Sequence, residues 1–269
     1  MVTSFEYRMH EVGPIVNLGL FFVGLDRGTE MLRYAREFND ALPSNAATFI
    51  GGLNAPPEPF VPEQYRLQPG YALLVAGFGS AEAHAHVIAP VRAALRPLFE
   101  LVTPIPYVQL QQMFDPSAPW GILAYEKAIY LDELTDGAID VIVERQPHKA
   151  SPMSFIPIFC LGGAAAEVAD DATAFGGRRS TRYVVNLAAV AHTCEELEAD
   201  RQWVRDYWSA LVPHSGGMGS YVNFMSEYEE DRVRAACGAA KYDRLAQIKS
   251  EYDPDNVFHL NANILPAGR

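Results

Sequence analysis

Apolar and polar residues alternate over residues 3–10, with Phe5, Tyr7 and Met9 on one side and Glu6, Arg8 and His10 on the other. A period of two predicts a half-buried strand. Gly13 and Pro14 turn the chain, and the apolar run 15–23 predicts a second strand. Met31, Leu32, Ala35 and Phe38 then recur at helical spacing, so a helix is expected over 29–39, ending before Pro43. Residues 48–53 and 71–78 read as paired strands, separated by a proline-rich stretch, Ala55-Pro56-Pro57-Glu58-Pro59, that suits neither element. Val87, Ile88, Val91, Leu95 and Leu98 predict a helix over 81–98, and a strand is expected near 100–103. The rhythm is strand, strand, helix, twice over.

The second half continues in kind. Strands are expected over 122–131, 154–161 and 181–190, and a helix over 134–144. Thr193-Cys194-Glu195-Glu196 is a capping box: the threonine hydroxyl can accept the N3 amide while the glutamate reaches back. The helix it opens carries Leu197, Val204, Tyr207, Trp208 and Leu211 on one stripe and should stop near Pro213. Ser226-Glu227-Tyr228-Glu229 forms a second box, and a last helix is expected over 241–252, before Asp253-Pro254. The fold class is therefore α+β, a large antiparallel sheet with helices on one face and a C-terminal helical extension. The glycine-rich stretch 214–219 divides the chain into a substrate-type domain, 1–215, and a C-terminal segment, 216–269.

Composition narrows the function classes. At 269 residues, 49% hydrophobic and 20% charged, the chain can bury a core without a disulfide staple. Thirty-three acidic residues against 21 basic ones give a formal charge of -12, which repels phosphate backbones and anionic lipid. Neither a nucleic-acid nor a membrane partner is expected, and there is no stretch of eighteen apolar residues. Three dispersed cysteines and the lack of a visible export signal point to a reduced cytoplasmic protein. His84 and His86 sit two apart on a helix and face apart, so no shared metal is expected. No phosphate-binding glycine loop and no nucleophile elbow occurs.

The informative region is C-terminal. It runs Gly219-Ser220-Tyr221-Val222-Asn223-Phe224, then Cys237-Gly238, Lys241-Tyr242-Asp243-Arg244-Leu245 and Ile248-Lys249. It continues Tyr252-Asp253-Pro254-Asp255-Asn256-Val257-Phe258 and closes Asn261-Ala262-Asn263-Ile264-Leu265-Pro266. This series resembles the C-terminal signature of the berberine-bridge-enzyme-like FAD-linked oxidases. Upstream, Leu161-Gly162-Gly163 with Glu167, then Thr173-Ala174-Phe175 and Arg178, is similar to the same family's G-G-x-x-x-E and A-F-x-x-R.

The resemblance implies oxidation of a substrate C–H by hydride transfer to flavin, a base that takes a substrate proton, and oxygen as the final acceptor. It implies Tyr221 as that base and Glu167 as a second catalytic candidate. It also implies Asn223, Asn261 and Asn263 on the cofactor side and Arg178 on the substrate side. A free phenol ionises near pH ~10, so a tyrosine base needs a neighbouring donor or cation. The family oxidises sugars, alkaloids, polyketides and other secondary metabolites. Few charges point inward from the strands here, which leans toward a neutral, partly apolar small-molecule substrate.

There are departures from the pattern. Cys237 stands where an aromatic is usual, and Gly177 where a histidine is common. The family's long flavin-binding segment, with its pyrophosphate cradle and covalent flavin linkage, has no counterpart in these residues. FAD is therefore expected only with a flavin-binding part supplied, for which a separate FAD-binding chain is a candidate partner. The alternatives are a non-catalytic small-molecule-binding module or a decayed fragment of such an oxidase.

Overall fold

The computed structural model describes residues 3–117, 119–217, 219–226 and 230–268. Its first half runs β1 (Ile15–Gly24), α1 (Gly28–Asp40), β2 (Ala46–Asn54), β3 (Pro69–Gly77), α2 (Ala81–Leu95) and β4 (Phe99–Pro106). A short α3 (Tyr107–Gln112) leads into β5 (Leu123–Leu131), α4 (Asp136–Arg145), β6 (Ile156–Cys160), β7 (Tyr183–Ala191) and α5 (Cys194–Leu211). Two further helices, α6 (Glu230–Cys237) and α7 (Ala239–Tyr252), follow. All seven strands form one antiparallel sheet in the order β4-β1-β3-β2-β6-β7-β5. The α+β class is as the pattern predicts, with the four long sheet-packing helices on one face; the short α3 lies on the other.

That order contains a repeat. Strands one to four make a split βαβ unit, β-α-β-β-α-β. Strands five to seven repeat its first three strands, and the halves join through β2 and β6, the equivalent strand of each. The expected strand-strand-helix rhythm is thus corrected to strand-helix-strand. Residues 3–10 are not a strand: they have no ladder partner among the described residues, and Phe5, Tyr7 and Met9 are 71%, 72% and 86% exposed. Alternation marks a strand only where another edge satisfies its backbone groups.

One face of the sheet carries α1, α2, α4 and α5. Met31, Leu32 and Ala35 of α1, Ile88 and Leu95 of α2, Ile139 and Ile142 of α4, and Val204 and Tyr207 of α5 pack on it. Beneath them lie Phe21, Ile50, Leu73, Ile129, Ile158 and Val185. Three of these helices start on a hydroxyl cap: Ser80 accepts from Ala83 N, Thr135 from Ala138 N and Thr193 from Glu196 N. The second box, at Ser226 to Glu229, falls partly outside the described residues. The helix expected over 81–98 stops at Leu95, because Arg96 turns left-handed (φ 43°) and Pro97 follows. Leu98 instead caps β1, its amide donating to Phe22 O. His84 is buried with Nε2 3.1 Å from Val75 O, while His86 is exposed.

Two local features hold this frame. The β2–β6 seam has four residue pairs, Phe49–Phe159 to Gly52–Ile156. It contains Pro157, which has no amide to donate, opposite Gly51. Gly52 is required there, since a Cβ would meet the Ile156 side chain at 2.6 Å. The second feature is a buried hub on α5. Asp200 is fully buried and accepts from Ala150 N (2.6 Å), Ser151 N (2.9 Å) and Ser154 Oγ (2.5 Å). Lys149 donates to the carbonyls of Pro152 and Ser154 beside it. Burial lowers the Lys149 ammonium to about 8, against the opposing pull of Asp200. This hub ties the loop that enters β6 to α5.

Candidate functional site

Among the described residues the sheet's other face carries no layer of long helices. Over β1 to β4 it is covered by the 55–65 loop and α3, through Ala55, Val61, Phe60, Tyr65 and Leu110. Over β5 to β7 the segment that carries Tyr221 and Phe224 packs on Ala128, Tyr130 and Val184, and the loop at Gly177 lies against the Tyr130 ring. The Tyr221 segment runs along the free edge of β5. Ser220 Oγ donates to Ala128 O (2.5 Å), Ser226 N to Glu126 O (3.2 Å) and Glu126 N to Ser226 Oγ (2.8 Å). Gly219 lets α6 pack close behind: a Cβ would sit 2.6 Å from the Ala235 and Ala236 backbone. The sequence pattern Gly-Ser-Tyr therefore sets a tight approach, an edge anchor and a ring on the open face.

Tyr221 is half-buried, and its hydroxyl accepts from Asn223 Nδ2 at 2.8 Å. A single 3-10 turn over Val222–Phe224 brings the two side chains together. The Tyr221 ring stands edge-on to Phe224 (5.1 Å, 74°) and tilted to Phe175 (6.4 Å). Beneath it, Tyr130 is buried and its hydroxyl has no partner among the described residues. Burial, with smaller contributions from Tyr221 and Cys237, holds the Tyr130 phenol well above its ordinary value, so it stays protonated.

The other residues singled out in the sequence do not join this pair. Glu167 is exposed in a turn, and no contact among the described residues links it to Tyr221 or Arg178. Arg178 is exposed and lines a cleft of about 730 Å³, together with Asp170, Thr173, Cys237, Lys241 and Arg244. Its neighbour Arg179 is the residue that holds the loop, through Asp170 Oδ1, Thr173 Oγ1 and the Phe175 ring. Asn261 takes a left-handed φ of 60°, and its carbonyl accepts from Asn263 N (2.8 Å). Among the described residues no contact brings either asparagine to Asn223. Of the C-terminal apolar residues, Ile264 packs on Val233, Tyr242 and Ala246, whereas Phe258 is 68% exposed. Burial raises the Cys237 thiol, with Lys241 opposing, so it is held away from the nucleophilic thiolate.

Two residues that sequence reasoning missed belong to the site. Glu126 of β5 and Asn186 of β7 point to the open face, with Asn186 Nδ2 3.4 Å from Glu126 Oε1. Burial raises the Glu126 carboxyl above its ordinary value, and the Asn186 bond opposes that. The available signal was alternation: Ala124, Glu126, Ala128 and Tyr130 share one face, and Glu126 is its one charge.

The raised carboxyl has a consequence for stability. The folded state holds this proton to higher pH than the unfolded state, so its contribution is full at low pH. It is lost as pH rises through the raised value. Glu126→Gln should therefore gain stability relative to the unsubstituted protein between about pH 4 and pH 7. Thermal melts of both across that range check this; a difference independent of pH would count against it.

Comparison with known proteins places these features. Residues 220–265 match the family model "Berberine and berberine like". An FAD-linked oxidoreductase of Dictyostelium discoideum is 23% identical over 269 residues, covering 99% of this chain and 55% of that protein. Berberine bridge enzyme-like C-1 of Nicotiana tabacum is 26% identical over 161 residues, 49% of this chain and 28% of that protein. Among solved structures, Physcomitrella patens BBE-like 1 superposes with a TM-score of 0.78 at 15% identity, covering 97% of this chain and 56% of that one. The chain thus has the fold of about half of a berberine-bridge-enzyme-like protein. No helix among the described residues is long and apolar enough to cross a membrane.

Proposed function

We propose, from the premise that residues 220–265 are a berberine-like segment, that this chain is the substrate-binding portion of an FAD-dependent oxidoreductase. In this reading it presents a small molecule for oxidation by hydride transfer to flavin, with oxygen as the final acceptor. The observation that carries the reading is the Tyr221–Asn223 pair, set by the matched segment on the uncovered face of the sheet. The chain spans about half the length of the FAD-linked relative it matches from end to end.

The fit to FAD is partial. Asn223 is exposed beside Tyr221 and offers an amide to a flavin edge. Among the described residues no glycine-rich strand-to-helix turn forms a pyrophosphate cradle. The residues present therefore fit one wall of a flavin-ring site, and the main flavin-binding part is supplied from elsewhere. A separate FAD-binding chain is one source. Phe5, Tyr7, Met9, Phe258 and Leu260, all strongly exposed, suit contact with such a part. The unpaired cysteines fit a reduced, cytoplasmic setting.

When bound, FAD supplies the hydride acceptor. The chain's own residues act on the proton. Asn223 donates to the Tyr221 oxygen, which leaves the phenolic hydrogen free to point elsewhere and keeps a donor on that oxygen once the proton has gone. Tyr130 remains a neutral phenol below. Glu126 and Asn186 offer a hydrogen-bonding handle on the same face. A second reading, binding of a small molecule without redox chemistry, draws on the rings and the Glu126–Asn186 pair that this chain places on the open face.

The deciding experiment is an absorption spectrum of the purified chain after FAD is added and the excess removed. It is taken alone and after co-purification with the flavin-binding half of the Dictyostelium relative. A flavin spectrum retained with that half, and weak or absent without it, is the expected result. No retained flavin in either sample would overturn the oxidoreductase reading and leave the binding module.

A further inference from the structure

Resting on the reading above, we infer that the substrate is a planar aromatic compound with a single hydroxyl-type handle. It lies along a row of rings on the open face, and Phe49, Phe159 and Phe224 select it. The row is built by strand register. Leu20 of β1 faces Leu74 of β3, which faces Phe49 of β2; Phe49 faces Phe159 of β6, which faces Val184 of β7. One apolar line thus crosses the sheet and passes over the seam between its halves.

The centre of that line is aromatic and only partly covered. Phe49 lies edge-on to Phe159 at 5.7 Å, and Phe159 stacks on Phe224 at 5.8 Å with an interplanar angle of 17°. Phe224 in turn meets Tyr221 at 5.1 Å. Phe49, Phe159 and Phe224 are each half-buried rather than sealed in the core, and Phe114, 5.0 Å from Phe49, is 46% exposed. The rings therefore lead without a break from the middle of the sheet to the hydroxyl proposed as the base. Aromatic faces and edges add attraction for another ring beyond the area they bury.

The polar inventory of the strands on this face disfavours a sugar-like ligand. Strand positions on this side carry four polar groups among the described residues: Thr103, Glu126, Asn186 and the Tyr130 hydroxyl, the last of them buried. A polyol would leave most of its hydroxyls unpartnered against this surface, a penalty that grows with each one. Glu126 and Asn186 form a single polar spot beside the rings, on the strands flanked by the Tyr221 segment. That spot suits one hydroxyl. It leaves the rest of the ligand to apolar contact, which is the usual balance of a small-molecule site.

The test is ligand binding by the whole chain without flavin, followed by saturation-transfer NMR. The probes are 4-methoxybenzyl alcohol, cyclohexylmethanol and glucose. Saturable binding of the aromatic alcohol is expected, at least about fivefold tighter than that of its saturated counterpart. Glucose should not bind over the same range. Phe159→Leu and Phe224→Leu should weaken the aromatic alcohol about three- to tenfold and leave cyclohexylmethanol unchanged. Circular dichroism establishes that both variants are folded, and Phe49→Leu provides a third if one is not. Glucose binding as well as the aromatic alcohol, no saturable aromatic binding, or an unchanged aromatic preference in folded variants would overturn the inference. Because no flavin is present, failure here is separate from failure of the absorption test. Aromatic binding by a chain that never retains flavin would refute the redox reading alone.

Discussion

Tyr221→Phe is expected to slow substrate-dependent flavin reduction by about 10²- to 10⁴-fold once the flavin-binding part is in place. The substitution removes one oxygen, bonded to the exposed Asn223 amide, while the ring keeps its contacts with Phe224 and Phe175. Folding and ligand affinity should therefore change little, and the loss should fall on the rate of proton removal. Anaerobic single-turnover reduction, followed by flavin bleaching, reads that rate directly. Asn223→Ala, which takes away the donor but leaves the hydroxyl, should produce a smaller loss in the same assay. A rate within tenfold of the unsubstituted protein for Tyr221→Phe would remove the tyrosine from the role of base.

The largest stability effect is expected at Asp200. Asp200→Ala strands the buried Ser151 amide, takes the acceptor from the part-buried Ala150 amide, leaves the Ser154 hydroxyl only its longer bond to Val190 O, and leaves the Lys149 ammonium without its nearby countercharge. Removing one partner from a buried charged network destabilises by about 3–5 kcal/mol. For a chain of this size that corresponds to a fall of roughly 10 °C in melting temperature. Asp200→Asn should not rescue it, because an amide NH₂ would face donors already on the loop. Thermal or urea unfolding gives the answer, and a shift under about 2 °C would show that the loop is held by other contacts.

Most of the fold was legible because its elements have strong periods and clear caps. The helix beginning at Thr193 and the strand near Ile15 are examples. What escaped was non-local. Residues 3–10 have the right alternation and no partner, and alternation does not reveal who supplies the next edge. Helix α3 follows Pro104 and Pro106 and is too short to show a 3.6-residue period. The doubled βαβ arrangement is a repeat of topology, seen in the strand order.

The site divides the same way. Tyr221 and Asn223 lie two positions apart, so a local motif could find them. Glu126 is 60 positions from Asn186 and 100 from Ser226, and only register and edge coverage bring these three together. Phe49 and Phe159 are likewise joined by pairing across the seam. Arg178 illustrates the opposite case: the motif named the position, while its neighbour Arg179 makes the loop's bonds.

The seam between β2 and β6 has a meaning for how the molecule comes apart. It is four pairs long, contains a proline and two glycines, and joins two halves that each possess their own strands and helices. Amide exchange is expected to reveal two cooperative blocks divided there, the shared core beneath the helices opening last. The phenylalanine row lies across this boundary, with Phe49 in one block and Phe159 in the other. A ligand bound to both rings would act as a clasp, and its affinity would appear as slower exchange on both sides of the seam at once.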